Sequence, residues 1–187
     1  MSLPCSLHAV QTRANIAYAS TQEKEWLIRR FREGDRTQIA QMLADMRVLM
    51  SSLKSVKREP DLKTAARELD YYLQRKYPVF VSDSGDGIEG YLVCRVDEDV
   101  VWAESLYVKP DLRRRGIGSA LYEMAEKMAG DLGSDTVYNW VHPNNEASIA
   151  FLAKRGYSVL NLIEIRRPWK DEVTTTRIRV GDNEFDY

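Results

Sequence analysis

Apolar positions recur at two spacings along this chain, and the spacings predict its elements in order. Residues 26–32 alternate loosely and predict a short first strand. After a Gly34-Asp35 turn, Ile39, Met42, Leu43, Met46, Leu49, Met50 and Leu53 recur at three and four residues, which is one face of a helix. Pro60-Asp61 opens a second helix with Leu62, Ala65, Ala66, Leu69, Tyr72 and Leu73 on its buried side. Pro78 ends that helix, residues 79–81 read as a short strand, and residues 82–87 read as a turn. Residues 90–96 and 100–108 flank the acidic turn Asp97-Glu98-Asp99 and predict a hairpin. Strand alternation places Val100, Trp102, Glu104, Leu106 and Val108 on one face. A helix with the stripe Ile117, Leu121, Met124, Met128 and Leu132 follows, closed by Gly130 and Gly133. Residues 136–141 predict a strand, and residues 145–155 a helix capped by asparagine and stopped at Gly156. Residues 157–165 predict a strand, and the β-branched run 174–180 suggests one more.

The resulting order is β-α-α-β-β-β-α-β-α-β-(β). Antiparallel strands followed by crossover helices imply an α/β (α+β) fold: a mixed central sheet with helices on both faces. At 187 residues the chain reads as a single domain over residues 26–187, preceded by a polar, irregular arm over residues 1–25 that is expected to be mobile.

Composition narrows the partners. A formal net charge of −1 argues against bulk nucleic-acid binding. No apolar run approaches a membrane span, and the N-terminal residues lack the apolar core of a signal peptide, so no membrane association is expected. The two cysteines, Cys5 and Cys94, form no disulfide framework and no zinc pattern. No metal site is expected, and the chain reads as a reduced, intracellular, cytoplasmic protein.

The candidate chemistry begins at Arg113-Arg114-Arg115-Gly116-Ile117-Gly118, set between a predicted strand and a predicted helix. Such a turn gathers a helix N-terminus, bare backbone N–H groups and guanidinium groups, an arrangement suited to a diphosphate. Gly116 and Gly118 let a ligand approach the main chain. The lysine of a nucleotide P-loop is missing, and so is the third glycine of a dinucleotide turn. A helix cap with solvated arginines is the alternative reading of these residues alone.

Residues 106–118, from Leu106-Tyr107-Val108-Lys109-Pro110 through the glycine turn, resemble the acetyl-CoA motif of the GCN5-related N-acetyltransferases (GNAT family). Residues 145–157, with Asn145, Ser148, Lys154, Gly156 and Tyr157, resemble the family's second block, and the likeness spans about residues 26–167. The resemblance implies a splayed sheet and an acetyl-CoA-dependent N-acetyltransferase. It implies that the backbone of Leu106 and Val108, with Tyr107 between them, pairs with the pantetheine arm. The N–H groups of Arg113, Arg114, Arg115, Gly116, Ile117, Gly118 and Ser119 would take the diphosphate. Arg113, Arg114 and Lys154 would reach the nucleotide phosphates, Asn145 and Ser148 would line the cofactor, and the N–H of Val108 would polarise the thioester.

Acetyl transfer to an amine also needs a group that deals with the ammonium form, because a primary amine with a pKa near ~10 is protonated at neutral pH. Glu104 is the candidate catalytic residue, as proton acceptor or as anchor for the cation; a carboxylate that salt-bridges an arginine is the plain alternative. The family's frequent tyrosine acid falls at Leu152 here, which cannot donate a proton. Tyr107, Tyr138 and His142 are the nearest polar substitutes in sequence, and Tyr71, Tyr72 and Tyr77 are candidates for the acceptor side. Trp140 is the likeliest of the tryptophans to line that slot, and Cys94 reads as a core residue. The acceptor, a primary amine of a small molecule or protein, is not fixed by these motifs. A CoA-binding sensor without turnover is the rival function, and a homodimer through the C-terminal strands is an analogy to relatives only.

Overall fold

The structure is a computed structural model that describes residues 26–187. The chain divides into two compact units, one ending at Asn144 and one running from Asn145 to Tyr187. The arm expected over residues 1–25 lies outside the described residues.

The first unit runs β1 (Leu27–Arg30), α1 (Arg36–Ser52), α2 (Leu62–Gln74), β2 (Val79–Asp83), β3 (Ile88–Asp97), β4 (Val100–Val108), α3 (Ile117–Asp131) and β5 (Tyr138–Asn139). The strands form one sheet in chain order, antiparallel from β1 to β4 and parallel between β4 and β5. A parallel step needs a crossover, and α3 supplies it. Val79, Val81, Tyr91, Val93 and Tyr107 turn to one face and pack with Ile39, Met42 and Leu43 of α1 and with Ala65, Leu69 and Tyr72 of α2. Gly90 faces the other way, where an added Cβ would stand 3.2 Å from Leu121 Cδ1 of α3. Helices therefore cover both faces of a mixed sheet.

Polar contacts fix α1 against α2. Arg47 donates from Nε to Glu68 Oε2 at 2.8 Å, and the Tyr72 hydroxyl donates to Glu68 Oε1 at 2.6 Å. Gly90 is required by a close approach: its ideal Cβ would fall 2.9 Å from the carbonyl oxygen of Tyr107. That distance lets β3 and α3 press on the end of β4.

Several expectations are corrected. The strand at residues 136–141 shrinks to Tyr138–Asn139, because only Trp102↔Tyr138 and Ala103↔Asn139 pair with β4. The buried stripe of α3 is Ile117, Leu121, Tyr122, Ala125 and Ala129; Met124 and Met128 are only half-buried and Leu132 is exposed beyond the helix end. Gly130 lies inside α3, and Gly133, at φ +80°, makes the turn after it. Strand β2 continues through the buried Ser82 to Asp83, so the turn begins later than expected.

The shared face of β4 is also corrected. The pairing of β3 with β4 slips between Val93↔Ser105 and Cys94↔Ala103, leaving Glu104 as an extra residue. A bulge of this kind reverses which alternate residues face which side. Leu106 and Val108 lie opposite Leu92 and Gly90 on the α3 face, whereas Trp102 lies opposite Arg95 on the other. Glu104 goes with Arg95, 3.3 Å away.

In the second unit, α4 (Glu146–Lys154) is followed by a hairpin of β6 (Arg177–Val180) and β7 (Asn183–Asp186) turning at Gly181. The strand expected at residues 157–165 is absent: Val159, Leu160, Leu162 and Ile165 are exposed and take part in no ladder. An apolar run becomes a strand only where a partner supplies hydrogen bonds. The suggested strand at 174–180 is β6, and β7 was not foreseen.

A buried ion cluster pins the start of the sheet to α1. The Arg29 guanidinium donates to both Asp35 oxygens at 2.7 and 2.9 Å and from Nε to Asp83 at 2.8 Å. Asp35 is held below its ordinary value mainly by Arg29, and Asp83 mainly by the Gly85 N–H and then by Arg29. Depressed carboxyl values stabilise the fold fully above the unfolded value of 3.8, and that stability is lost as pH falls through the lower folded values. Asp35→Asn is expected to cost about 3 kcal/mol near neutral pH, by leaving Arg29 under-paired, and to flatten the acid limb of stability below about pH 4. Urea unfolding of both proteins across pH 2.5–7 checks this; parallel curves would refute it.

Candidate active site

The site starts from the two edges of β4. One edge pairs with β3 along its whole length, while pairing with β5 ends at Ala103↔Asn139. Residues 104–108 thus have no sheet partner on the second edge. The Lys109 N–H donates to Glu89 O at 3.0 Å on the β3 side, so alternation turns the main-chain groups of Leu106 and Val108 toward the open edge. An extended ligand with its own amides would complete that edge as an added strand.

The open edge leads into the glycine turn. Arg113 is extended, Arg114 adopts φ +65° and Gly116 φ +91°, which puts two left-handed residues within three. Arg114 bears the steric cost of that conformation without being glycine. Helix α3 begins at Ile117, and no side chain caps it. Its first internal bond is Ala120 N to Gly116 O at 3.0 Å. The N–H groups of Ile117, Gly118 and Ser119 therefore have no acceptor in the helix. Helices α2 and α4 differ: Asp61 Oδ1 accepts from Thr64 N at 3.0 Å, and Asn145 Oδ1 accepts from Ser148 N at 3.2 Å. An anion at the start of α3 would be met by these donors and by the helix dipole.

The three arginines of the turn divide their work. Arg113 donates from Nε to Val108 O at 2.9 Å and stands over the Tyr107 ring. Arg115 donates to Asp111 O at 3.1 Å. Arg114 is exposed and meets no acceptor among the described residues, so it is the guanidinium of the turn most available to a ligand. In the second unit, Asn145 spends its side-chain oxygen on the cap of α4, Lys154 is exposed at the other end of that helix, and Leu152 is half-buried.

At the bulge a second cluster forms. The Trp102 ring lies 5.1 Å from Tyr138 and 5.2 Å from Trp140 between centroids. The Arg95 guanidinium lies over both tryptophans, 5.0 Å from Trp102 and 4.9 Å from Trp140. Its Nε faces Glu104 Oε2 at 3.3 Å and Asp97 Oδ2 at 3.4 Å. Tyr77, after α2, is close enough to feel the charges of Arg95 and Glu104, while its own phenol is pushed up mainly by burial. Glu104, Trp140 and Tyr77 were candidates from sequence, and the fold brings them together. Arg95 was missed; the available signal was a single cation inside the apolar run of β3.

The other candidates have plainer surroundings. The Tyr72 hydroxyl is committed to Glu68, and its phenol is raised mainly by burial. His142 is lowered by burial and by Lys54, and its Nδ1 accepts from Asn144 N at 3.2 Å, both of which favour the neutral ring. Asn144 Nδ2 donates to Leu53 O at 2.9 Å, tying the loop after β5 to the end of α1. Cys94 is buried and pushed up to about 12, an inert core thiol. Among the described residues no group of three or more His, Cys, Asp or Glu could hold a metal ion, and no helix is long and apolar enough to cross a membrane.

The sequence profile described as the Acetyltransferase (GNAT) family matches residues 43–157, more than half of the chain. Comparison with curated protein sequences finds no match. Solved structures share the fold. The PaiA N-acetyltransferase from Thermoplasma acidophilum, in complex with coenzyme A, is 18% identical with a TM-score of 0.63, over 74% of this chain and 93% of that one. YncA, a putative acetyltransferase from Salmonella typhimurium with acetyl-CoA, is 22% identical with a TM-score of 0.57, over 73% and 81%. The aminoglycoside 6'-N-acetyltransferase AAC(6')-IG from Acinetobacter haemolyticus is 16% identical with a TM-score of 0.57, over 76% and 98%.

Gly116→Val tests the turn. A β-branched residue at φ +91° is expected to cost about 1–2 kcal/mol of stability and to weaken the thermal stabilisation given by inorganic pyrophosphate. Differential scanning fluorimetry with and without pyrophosphate measures both, and an unchanged response would show that the turn does not hold the anion.

Proposed function

The chain belongs to the acetyltransferase (GNAT) family, and from that premise we propose an acetyl-CoA-dependent N-acetyltransferase that moves the acetyl group directly to a primary amine. The observation that carries this reading is the unbroken path from the open edge of β4 to the uncapped start of α3. Acetyl-CoA has the matching parts: an extended arm with two amides and a diphosphate. The acetyl-CoA and coenzyme A held by the Salmonella and Thermoplasma proteins support the choice.

The assignment follows the chemistry. Main-chain groups of Leu106 and Val108 hold the arm, with Tyr107 between them anchoring the strand to the core. The N–H groups of residues 114–119 take the diphosphate, since that of Arg113 is already donated to Pro110 O at 3.4 Å. Arg114 is the principal phosphate cation, assisted by Arg113; Asn145, Ser148 and Lys154 of α4 are the further cofactor residues that the family resemblance implies. Once the ammonium has given one proton to Glu104 or to solvent, the amine nitrogen attacks the thioester carbon. The oxyanion is held by a main-chain N–H, for which Val108 is the candidate. The C–S bond then breaks, and the second amine proton goes to the departing thiolate. Leu152 cannot supply that proton, and a thiolate leaves readily without it. The reaction is direct transfer within a ternary complex, with no acyl-enzyme.

Coenzyme A is expected to raise the thermal midpoint, with about 2.7 kcal/mol of stabilisation at a hundredfold excess over Kd, whereas ATP and NAD do much less. Thiol release from acetyl-CoA across an amine panel then reads turnover. Glu104→Gln is expected to lower kcat about a hundredfold while leaving coenzyme A stabilisation in place. Coenzyme A binding with no amine-dependent thiol release would favour the sensor instead, and an equal response to all three nucleotides would remove the cofactor assignment.

A further inference from the structure

Arg95 is an anomaly. Its side chain is 19% exposed, yet among the described residues the guanidinium donates no hydrogen bond and meets only ion-pair contacts, to Glu104 and Asp97. Its Nε and the facing Glu104 Oε2 are both sealed from solvent without meeting hydrogen-bond geometry, although they stand only 3.3 Å apart. Buried polar atoms are nearly always paired, and an unpaired one costs more when it is charged. The pair is held in place by other forces. The guanidinium rests beside the tilted Trp102–Trp140 pair, 5.0 and 4.9 Å from the two ring centroids, and the bulge in β4 fixes Glu104 beside it. Nε is the sealed nitrogen, and the Nη atoms, which meet no hydrogen-bond acceptor among the described residues, can serve as a two-pronged donor. Trp140 is 71% exposed, so the cluster opens to solvent.

We propose that this cluster is the acceptor site and that it selects a free α-amino acid, with Arg95 binding the carboxylate and Glu104 the ammonium. The inference rests on the acetyltransferase reading and names its substrate class. The two charges of an α-amino acid sit on one carbon, with nitrogen and carboxyl carbon about 2.5 Å apart. Opposite protein charges held in contact can meet both at once. A simple amine at Glu104 would set a second cation beside Arg95, whose remaining carboxylate contact is Asp97 Oδ2 at 3.4 Å from Nε, and would bring no acceptor to the Nη fork, so the pair disfavours it. Through its carboxylate, an amino acid supplies the acceptor that the Nη fork lacks in the protein, and its ammonium reaches Glu104, where the sheet begins to open. The indole faces of Trp102 and Trp140 bound the space left for its side chain.

The test compares free L-amino acids with their decarboxylated amines, such as phenylalanine with phenethylamine, methionine with 3-methylthiopropylamine and lysine with cadaverine. Thiol release from acetyl-CoA is one readout, and quenching of tryptophan fluorescence without acetyl-CoA is the other. For the pairs that react, the amino acid is expected to be preferred in kcat/KM on the order of tenfold to a hundredfold, the scale of a charge-assisted hydrogen-bonded pair. Arg95→Met is expected to erase that preference, mainly through KM, and Arg95→Lys to restore part of it, which separates loss of recognition from loss of fold. Decarboxylated amines that react as well as or better than amino acids would overturn the inference while leaving the acetyltransferase reading intact. A preference that survives in Arg95→Met would overturn the assignment to Arg95. No thiol release with any acceptor, despite coenzyme A stabilisation, would overturn both the catalytic reading and this one.

Discussion

Strand β4 is asked to do different things with its two edges, and the rest of the site depends on that asymmetry. Toward β3 it is paired from Val100 to Val108, so its position is set by the core. Toward β5 it is paired at two residues only. An unpaired strand edge is ordinarily a liability that proteins cover or charge. Here the open stretch ends at a helix start with three free N–H groups. The two features ask for complementary parts of one ligand, amide groups and then an anion. Each alone is common; their continuity along one stretch of chain gives the arrangement its meaning.

The asymmetry holds because the surroundings of β4 are rigid. Gly90 allows β3 to approach within a distance that any side chain would forbid, and Tyr107 packs into the cluster shared by α1 and α2. The Tyr91 hydroxyl and Ser105 Oγ bond each other at 2.9 Å inside that core, which fixes the register just before the slip. Past the slip, Glu104 and Trp102 turn to the side that carries Arg95 and Trp140. A one-residue bulge thus separates the strand into a half that faces α3 and a half that faces the charged, aromatic cluster. Without it, Glu104 would follow the alternation of Leu106 and Val108 and face α3.

What could be read from the residues follows from where the information lies. Helices α1 and α2 announced themselves through a 3.6-residue period, and the glycine turn through residues whose backbone freedom is rare. The bulge at Glu104 left no mark, because it is a property of two strands in register and the β4 sequence alternates straight through it. Residues 136–141 and 157–165 looked alike as strands on composition. One keeps two paired residues and the other none, since pairing depends on a neighbour that composition does not reveal. Arg95 was passed over for a similar reason: a lone cation in a strand reads as solvated, and only the fold shows it packed against two indoles. The resemblance in residues 106–118 and 145–157 named the family, which periodicity alone could not have done.

The cost of keeping Arg95 in place argues about Glu104 as well. A guanidinium denied hydrogen bonds is a standing loss, and cation–π contact with two indoles offsets part of it, on the order of 1 kcal/mol each. If Glu104 served only as a proton acceptor, a neighbouring cation would work against it by repelling the incoming ammonium. If Glu104 instead served to orient an acceptor, a fixed cation beside it would help, provided that the acceptor also carries a negative charge. On the proposed reading, the arrangement favours an acceptor with both charges over a simple amine. Retaining opposite charges in contact without letting them bond keeps both available, which is the condition for a site that must exchange an internal pairing for an external one.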